Sequence, residues 1–259
     1  MKILQIGYGN MGKAITQAVL NKLPAAKFTI IDPAAFAKAK PALNFVATPD
    51  DLAEQKYDII LFAVKPQFIA DIIPAYKNFV TTQTIVLSIL AGTKLKFFTS
   101  NLATENVLRI MPNLGAKIGK SINFCYAAAE CDTQLKQQAT EFISAFGELY
   151  WLAREEQFAA ATAVAGSGPA YYFLLFKIFS KYLTEHDFAA AEAQNIALKT
   201  AELAAQTALD QDLAELITQV TSKGGTTEAA LNEFYQDEQL ETLIVKALDK
   251  AVERAEELS

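Results

Sequence analysis

The sequence predicts a mainly parallel, doubly wound α/β domain over residues 1–154 followed by an all-α domain over 155–259. Three observations carry that reading. Short continuous apolar runs alternate with helical patterns through the first domain, as in a parallel sheet covered on both faces. Strand signals stop after Arg154, and Ala- and Leu-rich helical patterns continue to the C-terminus. A glycine motif, Gly7-Tyr8-Gly9-Asn10-Met11-Gly12, follows the first apolar run and opens the first helical one.

In chain order, KILQIG reads as a strand, NMGKAITQAVLNK as a helix, FTIIDP as a strand and LNFVATP as a short one. YDIILFAVKP is a further strand, QFIADIIPAYKNFV has a helical period, and TIVLSILAG and NVLRIMPN are strands. KSINFCYAAAE, a helix near Asp132–Phe146 and then ELYWLA extend or edge the sheet. The later helices break at Gly166–Pro169, near Glu185–Phe188, around Asp210–Asp212 and at Gly224–Gly225. The first of them, AYYFLLFKIFSKYL, carries aromatics on nearly every side. A small helical domain cannot cover such a helix alone, so it is expected to pack against a partner subunit. FAAAEAQNIALKTAELAAQTAL suits close helix packing.

Composition is that of an ordinary globular chain, 52% hydrophobic and 20% charged. A net charge of −6, a pI near 5.0 and the lack of any basic run argue against nucleic-acid binding. No apolar run is expected to reach the ~18 residues of a membrane span. The N-terminal Ile3–Ile6 stretch runs directly into glycines, unlike a secretory signal. Cys125 and Cys131 match no metal-ligand spacing and read as free thiols in a reducing, cytoplasmic setting. His186 is the sole histidine, in the polar stretch TEHDF, so neither a zinc site nor a Ser-His-Asp triad is expected.

A strand followed by GxGxxG and a helix is the context in which that motif binds a dinucleotide. The first glycine makes the tight turn, the second lets the pyrophosphate approach the backbone, and the third allows close helix–strand packing. The helix N-terminus adds free N–H groups and a partial positive charge. This is a Rossmann-type NAD(P)H site. Asp32 ends the second strand, where a carboxylate can accept from the adenosine ribose and would repel a 2′-phosphate. The nearest bases, Lys38 and Lys40, come later, so NADH is favoured over NADPH. A plain turn at Asp32-Pro33 has the same local composition.

The chain resembles the pyrroline-5-carboxylate reductases over essentially its whole length. The matching pieces come in the family's order: GYGNMG, AVKP at 63–66, SILAG at 88–92, RIMPN at 109–113, GSGPAY at 166–171 and VTSKGGTT at 220–227. The last two are the most specific. The resemblance implies NAD(P)H-dependent reduction of L-1-pyrroline-5-carboxylate to L-proline, the last step of proline biosynthesis. It places Gly7, Gly9, Asn10, Met11 and Gly12 on the pyrophosphate, and Ala63, Val64, Lys65 and Pro66 beside the ribose. Ala91 and Asn113 fall near the nicotinamide, and Ser222, Gly224, Gly225, Thr226 and Thr227 around the small-molecule substrate. It also implies homodimers with interlocked helical domains, which commonly build larger rings.

The GGTT segment has its own physics. Two glycines before TTEAALNEF free the backbone at a helix start, where unpaired N–H groups suit a small carboxylate. Thr226 and Thr227 supply hydroxyls that can donate to a ring nitrogen. A glycine turn with threonine N-caps would look the same standing alone. Imine reduction suits a chain so poor in histidine, because the imine nitrogen is basic and enters as the iminium. A positioned hydroxyl then suffices to orient it, and Thr227 is the expected catalytic donor.

The sequence departs from the family pattern in four places. Leu114-Gly115 replaces Thr-Pro, Lys223 replaces a proline, and Lys199-Thr200 with Leu203 replaces Gln-Thr followed by glycine. Lys177 replaces a carboxylate. Two rival functions follow: a β-hydroxyacid dehydrogenase using Lys177, and a non-catalytic NAD(P)-sensing protein. Against the first, Lys177, Lys181 and Glu185 recur at i, i+4 and i+8, the pattern of a solvated stripe.

Overall fold

A computed structural model describes residues 1–36, 43–52 and 56–257. Lys38 and Lys40 therefore lie outside the described residues. The chain falls into two compact units, one of Met1–Gly166 together with residues 251–257, the other of Ser167–Lys250.

The first unit is built on one eight-stranded sheet. Its strands are β1 (Lys2–Ile6), β2 (Lys27–Ile31), β3 (Asn44–Val46), β4 (Ile59–Phe62), β5 (Ile85–Ser88), β6 (Val107–Met111), β7 (Ser121–Ala127) and β8 (Gly147–Trp151). They run in the order β3-β2-β1-β4-β5-β6-β7-β8. Every pair is parallel except β6–β7, which is antiparallel. Successive side chains of a strand face opposite ways. Ile3 and Leu61 accordingly enter one core with Ile15, Phe28 and Phe142, while Leu4 and Phe62 enter the other with Tyr76 and Phe98. Both faces are buried, which is why β4 reads as an unbroken apolar run and β1 and β5 as nearly unbroken ones.

The unit's helices are α1 (Asn10–Lys22), α2 (Pro33–Phe36), α3 (Ile69–Ile72), α4 (Leu95–Leu102), α5 (Thr133–Ser144) and α6 (Gln157–Ala161). The single helix expected over QFIADIIPAYKNFV is instead broken into a 3-10 turn at Pro66–Phe68, α3, and a 3-10 stretch at Ile73–Phe79. Pro74 is the cause, since it lacks an N–H and its ring crowds the preceding turn. Helix α4 was not foreseen. Its signal is the burial of Leu95, Phe98 and Leu102 at i, i+3 and i+7.

The second unit holds α7 (Gly168–Thr184), α8 (Ala190–Ala208), α9 (Leu213–Val220), α10 (Thr226–Tyr235) and most of α11 (Gln239–Glu257). The break expected at Gly166–Pro169 falls at Ser167, between a π-helical turn at Thr162–Gly166 and the start of α7 at Gly168. The helical run Gln157–Thr184 is consequently long and apolar enough to cross a membrane, against the expectation that no run would be. Helix α7 packs on α8, whose buried Ala193 and Ala197 permit the close approach. Tyr172, Phe173, Leu174, Ile178, Phe179 and Tyr182 of α7 remain exposed, Tyr172 and Tyr182 at 62% each.

An apolar surface of that extent is not maintained by a monomer in water. Light scattering at micromolar concentration is expected to give at least twice the 28.3 kDa chain mass. Ile178→Asp should shift the protein toward smaller or aggregated species. A folded, monodisperse 28.3 kDa wild-type particle would contradict this reading.

Candidate active site

At the β1–β4 boundary the strand order reverses, and there the C-terminal ends of a parallel sheet form a crevice. The chain leaves β1 through Gly7, whose φ is +97°. Its N–H donates to the Ile31 carbonyl at 2.8 Å, and a Cβ on it would lie 2.6 Å from the Ala63 carbonyl oxygen. Only glycine fits that pinch. Helix α1 then starts on Gly9 with no side-chain cap and no acid in its first turn. Its terminal amides and positive pole are therefore unopposed, and nothing lies within 4 Å of where a Gly9 Cβ would stand. A pyrophosphate fits such a cradle.

Around it the structure gathers exposed Asn10, half-buried Met11 and buried Gly12, with half-buried Ala63 and Val64 and exposed Lys65 and Pro66 just beyond β4. Asp32 follows β2 and is half-buried. Its Oδ2 accepts from the Tyr8 amide at 2.7 Å and its Oδ1 from the Ala35 amide at 2.9 Å. Each oxygen keeps acceptor capacity for a ribose hydroxyl. The Tyr8 ring meets Phe45 edge-on, with centroids 5.1 Å apart.

Further along the sheet, Ala91 beyond β5 lines a cavity of about 320 Å³ with Gly92, Arg109, Met111, Glu155 and Phe158. Asn113, beyond β6, is largely committed to the protein. Its Oδ1 accepts from the Gly115 and Ile122 amides, and its Nδ2 donates to the Ala165 carbonyl at 3.1 Å. Gly115, one of the departures, is required locally, since a Cβ there would overlap the Lys120 carbonyl.

Sequence reasoning passed over Arg109 and Glu155. The signal available was an arginine inside the apolar strand VLRIM. Arg109 is 5% exposed, its Nη1 lies 3.0 Å from Glu155 Oε1, and its guanidinium stands 4.4 Å over the Phe158 ring. Burial lowers its pKa, and the hydrogen bond and charge of Glu155 oppose that shift. Glu155 Oε1 also accepts from the Leu95 amide at the start of α4. One carboxylate, just ahead of α6, thus ties β6 to the start of α4.

In the second unit, Ser222, Gly224, Gly225, Thr226 and Thr227 fall in one turn before α10. Gly224 has φ +72°, and its N–H donates to Glu228 Oε2 at 2.7 Å. The Gly225 amide, expected to hold a carboxylate, is turned inward to the Ser222 carbonyl at 2.9 Å. The amides left for an anion are those of Thr226 and Thr227. Gly225 supplies no side-chain cap to α10, Thr226 is exposed and Thr227 is half-buried. Lys177 is exposed, and Lys181 pairs with Glu185 at 3.6 Å, as the solvated stripe requires. Lys199 pairs with Glu202 at 2.7 Å. Among the described residues, no cluster of three or more His, Cys, Asp or Glu could hold a metal ion.

Residues 155–258 match a family model described as pyrroline-5-carboxylate reductase dimerisation, and residues 2–92 match one described as NADP oxidoreductase, coenzyme F420-dependent. The chain is 34% identical to the pyrroline-5-carboxylate reductase of Pseudomonas aeruginosa over 265 residues, covering 100% of this chain and 97% of that protein. It belongs to the pyrroline-5-carboxylate reductase family. The Vibrio alginolyticus reductase is 33% identical over 99% of this chain and 97% of its own. A solved pyrroline-5-carboxylate reductase from Coxiella burnetii superposes with a TM-score of 0.87 at 28% identity, covering 99% and 98% of the two chains. As a member of this family the chain has the expected fold class and self-associates through its helical region.

Removing one member of a buried ion pair leaves the other charge uncompensated. Glu155→Ala is expected to destabilise the protein by about 3 kcal/mol, read as a lower midpoint in thermal or urea unfolding. The double change Arg109→Met with Glu155→Leu should recover most of that loss. A wild-type midpoint for Glu155→Ala would show that the clasp contributes nothing.

Proposed function

We propose that this family member reduces L-1-pyrroline-5-carboxylate to L-proline as an NAD(P)H-dependent oxidoreductase, in the cytoplasm and as a homodimer or higher oligomer. The observation that carries the reading is the full-length relationship to named reductases, with the GSGPAY and GGTT segments intact. The nicotinamide, when bound, supplies the hydride. The chain's part is to orient the imine, hold its carboxylate and keep water away.

On this reading, the Thr226 and Thr227 amides at the α10 start receive the substrate carboxylate, with the positive helix pole behind them. The Thr227 hydroxyl oxygen accepts from the iminium N–H and so orients the ring. Ser222, Gly224 and Gly225 shape the turn. Because the nitrogen enters as an iminium, no strong acid is needed to stabilise a developing alkoxide, and one neutral hydroxyl is enough to orient it. Thr227→Ala should therefore lower kcat/KM by roughly 10- to 1000-fold, the range for loss of one positioned hydrogen-bonding group. NADH affinity should hardly change, and Lys177→Ala should have little effect in the same assay. Near-normal Thr227→Ala together with inactive Lys177→Ala would support hydroxyacid chemistry instead.

The coenzyme reading favours NADH. Support comes from the half-buried Asp32 beyond β2, whose charge would repel a 2′-phosphate. Asp32→Ser keeps an oxygen for the Tyr8 amide while removing the charge. It should raise the NADPH-to-NADH ratio of kcat/KM, even as the absolute NADH rate falls. A native preference for NADPH of tenfold, about 1.4 kcal/mol, would defeat the Asp32 argument.

A further inference from the structure

We infer that Gln5 and Thr16 form a buried polar strut that fixes the Gly7–Tyr8 peptide, making them positioning residues for the coenzyme. The inference rests on the reading of the glycine turn as the dinucleotide seat, and goes beyond it by naming residues outside the GxGxxG motif.

Gln5 interrupts an apolar strand. It is 0% exposed, in register with Ile30 of β2 and Leu61 of β4. An amide in that place loses its hydration and is tolerated only where hydrogen bonds replace it. Gln5 Nε2 donates to the Gly7 carbonyl at 2.9 Å, and Oε1 accepts from Thr16 Oγ1 at 2.7 Å. Thr16, also 0% exposed and in the second turn of α1, has the Gly12 carbonyl 2.9 Å from the same hydroxyl. The strut therefore runs from the β1 end of the turn to the first turn of the helix.

Its consequence follows from peptide planarity. The carbonyl of Gly7 and the N–H of Tyr8 belong to one rigid unit and point opposite ways. Gln5 holds the carbonyl, and Asp32 Oδ2 holds the N–H at 2.7 Å. The peptide is clamped at both ends. Without Gln5 it can rotate, and a glycine carbonyl turned toward the cradle would set a negative dipole against a phosphate. Gly12 seals the arrangement from above, since a Cβ there would lie 2.8 Å from the Gly7 oxygen and 2.9 Å from Gln5 Nε2.

The test measures the NADH dissociation constant by fluorescence titration of the full-length, assembled enzyme, alongside KM and kcat with pyrroline-5-carboxylate. Gln5→Leu, close in volume but unable to hydrogen-bond, should weaken NADH binding by about tenfold or more, the scale of effect when a supporting contact is lost and a site is misplaced. KM for pyrroline-5-carboxylate and kcat at saturating NADH should stay within about twofold. Thr16→Val should weaken NADH binding in the same direction, Thr16→Ser should restore it, and the pair Gln5→Leu with Thr16→Val should be no worse than Gln5→Leu alone. Wild-type NADH affinity in Gln5→Leu would overturn the strut. If Gln5→Leu does not fold, wild-type affinity in Thr16→Val does the same. Absence of NADH binding by the wild-type protein would instead bring down the dinucleotide seat itself, an outcome distinct from failure of the strut.

Discussion

The helical unit has almost no core of its own. Among the described residues of Ser167–Lys250, only Gly168, Ala193 and Ala197 are buried. Two alanines and a glycine cannot offset the conformational entropy of ordering five helices. The missing apolar contact must come from outside the unit, and the face of α7 is composed for it, with tyrosines, phenylalanines, leucine and isoleucine in place of the charges a free surface would carry. Everything assigned to the Ser222–Thr227 turn depends on that completion. A substrate turn carried by an unanchored helix bundle would have no fixed geometry to offer.

The sheet unit solves the opposite problem. Its two cores are filled by alternating side chains from the same strands, so the polar residues inside it stand out against a uniform background. Gln5, Thr16, Arg109 and Asn113 are all buried, and each is tied to backbone or to a charged partner. None of these bonds is needed to close the sheet. Gln5 and Asn113 lie at or just beyond strand ends, Arg109 in the middle of β6, and Thr16 on α1 against Gln5. Local violations of the apolar pattern of this kind collect where function makes demands that packing does not.

Legibility in the sequence follows the same division. The parallel sheet, its order of elements and the glycine turn were readable, because continuous apolar strands and a GxGxxG placed between strand and helix are local signals. The antiparallel β7 edge was readable only as an extension, since KSINFCYAAAE carries no mark of direction. Helix α4 escaped because eight residues give little more than two turns of periodicity. The π turn at Thr162–Gly166 escaped because TAVAG carries no local mark of it, and with only Ser167 between it and α7 the helical run reads as long and apolar. Arg109–Glu155 is a contact between residues 46 apart, and no local pattern announces such a pair. Gln5 was visible all along, but its meaning required knowing that its amide reaches Gly7.

The chemistry explains why so sparse a set of groups can suffice. Pyrroline-5-carboxylate carries its own base, and protonation of the ring nitrogen creates the electrophile before any side chain acts. What remains is orientation of a small zwitterion with a carboxylate at one end and an iminium at the other. On the proposed reading the α10 start receives the first, with the positive helix pole and the amides of Thr226 and Thr227 once Gly225 has turned its own N–H to Ser222. Glu228 reaches back to the Gly224 amide and holds the positive-φ glycine in place, so the turn is braced by its own helix. The half-buried Thr227 adds a neutral hydroxyl at the same point. A histidine there would add a proton the reaction does not require.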